Sequence, residues 1–162
     1  MIELHKGMNS GILIKPRWFA KSVFIDGKAF EAVQKAQSIL PSDIRLVITR
    51  AYQPEDLSMR FLRLIGAMVF KFIYPMRAAE IPEIFGHNGH ALDGRHVDIG
   101  IEYKNKILKL LPFSVFTSLD VVINRSERYT QIIVEVQNAL QECGFTIHSN
   151  KIEALQIHCD FN

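Results

Sequence analysis

Six histidines and a scatter of carboxylates carry most of the chemical reach of this chain. Three of the histidines, His87, His90 and His96, fall in the segment HNGHALDGRHVDIGI, residues 87–101, together with Asp93 and Asp98. His158 and Asp160 lie near the C-terminus in EALQIHCDF, residues 153–161. Neutral imidazole and carboxylate are the usual donors to zinc, and a catalytic zinc takes three of them while leaving one position open for water. Such an ion lowers the pKa of its water toward neutrality, which makes a nucleophile for carbonyl attack. A nearby carboxylate is then needed to take and deliver the proton. One or two histidines of the 87–96 stretch, with Asp98 and His158, would complete the set. The plainer account of the same residues is a polar loop rich in histidine.

Strands and helices must carry these groups to one place. RHVDIGIEY, residues 95–103, alternates, with His96, Asp98 and Gly100 on one face and Val97, Ile99 and Ile101 on the other. In EALQIHCDF the same period sets Gln156, His158 and Asp160 on one face, with Leu155, Ile157, Cys159 and Phe161 opposite. Asp26 can cap a helix running from about Lys28 to Leu40, where Phe30, Val33, Ala36 and Leu40 share a face and Pro41 ends it. IRLVITRAY, residues 44–52, is rich in β-branched residues and predicts a strand. Pro54, Glu55 and Asp56 open a helix to about Phe72. Its stripe of Leu57, Phe61, Leu64, Met68 and Phe72 is expected to face the core. Leu62, Ile65 and Val69 make the opposite side apolar too, which predicts burial on most sides or an interface between copies of the chain. Residues 77–94 read as a loop and LDVVIN, residues 119–124, as a strand. A helix is expected from about Glu127 to Cys143 with Gly144 as its stop, followed by the strand FTIH, residues 145–148. Residues 1–27 read as irregular. Helices and strands do not alternate regularly, so the expected fold is α+β, a single domain over residues 1–162 with helices packed on a largely antiparallel central sheet.

The bulk composition narrows the function classes. The chain has 162 residues, 48 % of them apolar and 22 % charged, with a net charge of +2. That is enough length for one real core. The basic residues are scattered, and the densest group, Lys104, Lys106 and Lys109, has little aromatic interleaving, so no nucleic-acid partner is expected. The longest apolar run, LIGAMVFKFIYPM, is broken by Lys71 and Pro75 and is too short to span a bilayer. No secretory leader is visible in the N-terminal residues, so a cytoplasmic location with Cys143 and Cys159 as reduced thiols is expected. Cys159 reads as a small buried strand residue rather than a nucleophile.

Four segments, taken in order, resemble the zinc D-alanyl-D-alanine dipeptidases and the wider family of D-Ala-D-Ala-directed carboxypeptidases. AVQKAQSIL followed by IRLVITRAYQP resembles that family's helix and the strand ending in an AYRP-like motif. NGHALDGRHVDIGI resembles its SxHxxGxxxD segment, INRSERYTQIIVEVQNALQECGFTIH its next helix, and EALQIHCDF its closing ExxH strand. The likeness spans roughly residues 28–161. It implies zinc held by His90, Asp98 and His158, and a small peptide substrate of D-Ala-D-Ala or cell-wall type. Asn88 stands where the family has serine, and Gly94 matches its glycine.

Three departures bear on chemistry. One extra residue separates His90 from Asp98, so either His90 reaches through a bulge or His96, on the same strand face as Asp98, takes the ligand role. Gln53 replaces the arginine of AYRP, which is thought to steady negative charge on the substrate; Arg50 is the nearest cation, out of phase with Gln53 in strand alternation. Leu155 occupies the family's glutamate position, and Glu153 lies two residues before it. Asp160 is a candidate to orient the His158 imidazole. The resemblance therefore implies a divergent zinc peptidase or amidohydrolase with Glu153, Gln53 and Arg50 as its catalytic groups. The alternative is a catalytically impaired relative that binds metal, peptide or protein.

Overall fold

The computed structural model describes residues 1–16, 20–52, 57–81, 93–108, 119–148 and 157–162. The N-terminal stretch, expected to be irregular, contains four short strands. β1 (Ile2–His5) pairs antiparallel with β4 (Ser22–Ile25), and β2 (Gly7–Asn9) forms a hairpin with β3 (Ile12–Ile14). Ser10 and Gly11 turn the hairpin with φ of 48° and 84°, the left-handed pair that matches the twist of a two-residue connection. Strands of three and four residues are too short to show an alternation of their own, so the sequence pattern misses them.

α1 (Gly27–Ile39) follows the expected pattern. The Asp26 carboxylate accepts from the Lys28 and Ala29 amides at 3.0 and 3.1 Å. The bond from Ala29 leads the effects that hold this carboxyl below its usual range. Phe30, Val33, Ala36 and Leu40 are all buried, as their spacing predicts. Gln37 ties the helix to the next strand, donating to the Ile44 carbonyl at 2.9 Å and accepting from the Leu46 amide at 2.6 Å.

That strand, β5 (Ile44–Arg50), pairs with β6 (His96–Tyr103), and β6 pairs with β9 (Ile157–Phe161). β7 (Lys106–Ile107) folds back on β6, and β8 (Phe145–Ile147) forms the far edge. The seven-stranded sheet runs β2-β3-β5-β6-β9-β8, with β7 off the path. All its pairings are antiparallel except β3 with β5. The fold is thus α+β on an open, mixed but mostly antiparallel sheet.

Between β5 and β6 lies α2 (Leu57–Ile73); α3 (Leu119–Glu127) and α4 (Thr130–Glu142) precede β8. LDVVIN, expected as a strand, opens α3. A short β-branched run does not by itself distinguish a strand from a helix, and the tertiary setting decides. α4 begins at Thr130 rather than Glu127, because the turn at Arg128–Tyr129 separates it from α3. Gly144 ends this region with φ of 92°, as expected of a helix stop. α1 packs against α4, and both contribute to one core with Val97, Ile99 and Ile101 of β6 and Ile157 and Cys159 of β9.

The stripe on α2 departs from its expected role. Phe61, Leu64, Met68 and Phe72 are each at least 60 % exposed, while Phe70, outside that stripe, is buried. Periodicity reports that a helix has an apolar face, not that the same chain covers it. Among the described residues no helix is long and apolar enough to cross a membrane.

Candidate metal centre

The faces of β6 and β9 turned away from that core carry the polar residues. Asp98 and His158 are Cα partners across the two strands, as are His96 and Asp160. Strand alternation dictates this: Val97, Ile99, Ile157 and Cys159 go to the core, so their neighbours must take the other side. Asp98 is 0 % exposed and His158 6 %. His158 Nδ1 lies 2.5 Å from Asp98 Oδ1. A carboxylate so deeply placed needs positive charge or several hydrogen bonds to offset its lost hydration.

His96, Asp98 and His158 each present a donor atom within 4.8 Å of the others. Two neutral imidazoles and one carboxylate are a donor set that suits zinc, with a coordination position left over. Asp98 is flanked by β5 and β9, and His158 pairs with Asp98 on one side while its carbonyl accepts from the His148 amide on the other; His96, at the start of β6, pairs with β9 alone. The residues present therefore fit a divalent cation.

A second group adjoins the first. His96 Nδ1 pairs with one oxygen of Asp160, and His148 Nε2 lies 2.7 Å from the other. Asp160 was expected to orient His158; it instead serves His96 and His148, because its cross-strand partner is His96 and its neighbour on the other side is β8. Burial alone would raise the Asp160 carboxyl, but the hydrogen bond from His148 and the charge and hydrogen bond of His96 outweigh it, leaving the group below its usual range. His148 escaped the sequence reading. The signal was present: FTIH ends beside β9, and the His148 amide donates to the His158 carbonyl at 3.0 Å.

Arg50 is placed by an irregularity. Ile48 pairs with Ile99, and the next pair is Arg50 with Asp98, so Thr49 is an extra residue on β5. Thr49 Oγ1 donates to the Asp98 carbonyl at 3.1 Å. Without this bulge Arg50 would stand opposite Val97 and follow the core phase; with it, Arg50 takes the row of Asp98. Simple alternation along RAYQ could not anticipate that change of phase.

The approach to His96 is anchored at Gly94. Its carbonyl accepts from the Asp26 amide at 3.0 Å, its φ is 71°, and a Cβ there would lie 2.8 Å from the Asp26 nitrogen. Of the residues expected to act, Arg50, His96, Asp98 and His158 are described and converge on one region of the sheet. His87, His90, Gln53 and Glu153 lie outside the described residues.

Both thiols are buried. Burial pushes the Cys159 thiol well up, with Asp98 and Asp160 adding to it, and burial likewise raises Cys143. The Cys159 Sγ donates to the Val97 carbonyl at 3.3 Å. Reaction with a disulfide reagent at pH 8 is expected to be slow for both thiols in the native chain and fast in denaturant. Two rapid native equivalents would contradict this burial.

No family model matches the chain, and no curated protein or solved structure shows significant similarity to it.

Proposed function

We propose that this chain is a divergent zinc-dependent hydrolase of the D-alanyl-D-alanine dipeptidase type, cleaving a D-Ala-D-Ala-type dipeptide or a short cell-wall peptide with water. One observation carries the proposal: Asp98 and His158, distant in sequence, are buried cross-strand partners with His96 within ligand reach. When bound, zinc supplies Lewis-acid polarisation of a carbonyl and lowers the pKa of a water in its open position.

The remaining work falls to the chain. Asp98, His158 and His96 hold the ion from a rigid sheet. Asp160 takes the Nδ1 side of His96, which fixes the ring's orientation and presents Nε2 as the donor. Arg50, opposite Asp98, brings a cation toward the oxygen on which negative charge develops. Glu153 as proton carrier and Gln53 as hydrogen-bond donor keep the roles the resemblance gives them. His96 is the third ligand taken from the described residues; His90, the other candidate, lies outside them.

The test is release of D-Ala from the dipeptide by chelator-stripped and zinc-reloaded protein. Release is expected only after reloading, and Asp98→Asn is expected to cut it at least about 100-fold, the scale of losing a centre that stabilises developing charge. Stoichiometric zinc without release from dipeptide or muropeptide would leave a binding module and sink the hydrolase reading. A second reading has its own support, since two histidines and one carboxylate, with only Val97 between His96 and Asp98, are also the donor set of non-haem iron(II) oxygenases. Metal analysis of protein purified without oxygen separates the two, and iron in preference to zinc would favour the latter.

A further inference from the structure

We propose that the chain holds a second divalent cation, at His96 Nδ1, Asp160 and His148 Nε2, sharing His96 with the Asp98/His158 centre. This rests on the reading of that inner centre as a metal site. The outer group is built as a site in its own right. Asp160 gathers one imidazole nitrogen on each of its oxygens, His96 on Oδ1 and His148 on Oδ2. The donors lie within 4.8 Å of one another. They come from β6, β9 and the residue following β8, so the sheet holds them together before any ion arrives. Both imidazole nitrogens are in contact with the Asp160 carboxylate; a divalent cation between them would satisfy all three donors at once.

His96 is the hinge between the two groups. Its ring centroid lies 5.7 Å from that of His148 and 5.7 Å from that of His158. Its Nδ1 faces Asp160, which leaves Nε2 as the coordination position for the inner set. Ions on the two nitrogens of one ring stand further apart than the roughly 3.5–4 Å of pairs that clamp one reacting group between them. The outer ion therefore does not share the inner water. It fixes the His96 ring in place of a hydrogen bond. The proton balance is definite: with an ion on each nitrogen the ring is an imidazolate, and its one N–H proton passes to solvent.

Access differs between the sites. The side chains of Asp160 and His148 are 41 % and 48 % exposed, while those of Asp98 and His158 are 0 % and 7 % exposed. The inner site is expected to fill first and hold more tightly, and the outer one to exchange faster.

The experiment is a titration of chelator-stripped protein with Zn2+ against a competing chromophoric chelator, followed by Cu2+ titration read by electron paramagnetic resonance. The native chain should bind two equivalents of Zn2+. His148→Gln should bind one, and His148→Asp, which restores an oxygen donor, should bind two. With Cu2+, the signal should rise through the first equivalent and fall through the second, as the shared ring couples the two spins. No bound equivalent would overturn the inner site and this one together. A single equivalent in the native chain would overturn the second ion alone. Two equivalents in His148→Gln, or an uncoupled signal of doubled intensity, would overturn the shared site.

Discussion

Asp98→Ala is expected to lower the unfolding free energy of the metal-free protein by about 3–5 kcal/mol, the scale of removing one partner of a buried acid–imidazole pair. Asp98 is fully buried and its partner His158 nearly so, with 2.5 Å between Oδ1 and Nδ1. Removing the carboxylate leaves an imidazole in a dry setting without the group that balanced it, and a void beside it. Replacing both residues tests the cause. Asp98→Leu with His158→Leu removes both polar groups together and should cost less than Asp98→Ala alone, because neither member of the pair is left without the other. Urea unfolding with chelator present measures each variant. A single substitution costing under about 1 kcal/mol would show that the pair is better solvated than its burial indicates. On the proposed reading the same substitution also removes a metal ligand, so the gap between native and variant should widen as free zinc rises.

Gly94→Ala is the second large effect. A side chain at a φ of 71° costs about 1–3 kcal/mol by itself. The added Cβ would also meet the Asp26 nitrogen at 2.8 Å and the Ile25 carbonyl carbon at 3.1 Å, both backbone atoms that cannot swing aside. Relief requires parting the strand entry from the cap of α1, which breaks the amide-to-carbonyl bond between Asp26 and Gly94. The expected loss is at least about 2 kcal/mol, or some 4–8 °C in Tm for a chain of this size. On the proposed reading metal affinity should fall with it, since His96 lies two residues on. Gly27→Ala is the control: it sits at the first position of α1 with nothing within 4 Å of a new Cβ, and should stay within about 1 kcal/mol of the native chain. Equal losses at both glycines would contradict this account of Gly94.

The legible parts of this chain were those where one period runs long enough to be read. The buried face of α1, the strands β5 and β6 and the two-faced character of β9 all follow from spacing. Asp98 and His158 were chosen by ligand type and by the family resemblance, and their pairing is a matter of register. The illegible parts have specific causes. β1 to β4 are too short to alternate. LDVVIN has strand composition and forms a helix. The position of Arg50 depends on a bulge at Thr49, which no periodicity contains. Asp160 was matched to the wrong imidazole because the partner of a strand residue is set by register, and register is a property of two strands together.

The pairing of β6 with β9 has a consequence for how the sheet finds its correct alignment. Sliding β9 by two residues in either direction keeps apolar side chains on the core side, so burial alone discriminates poorly against that error. The polar face does discriminate. One slip sets Asp98 against Asp160, carboxylate facing carboxylate; the other sets His96 against His158. Only the observed alignment matches each acid with an imidazole, and like charges placed directly opposite are unfavourable. The residues that can hold a metal thus also act as a key for assembly, rejecting mispaired sheets before any ion is bound.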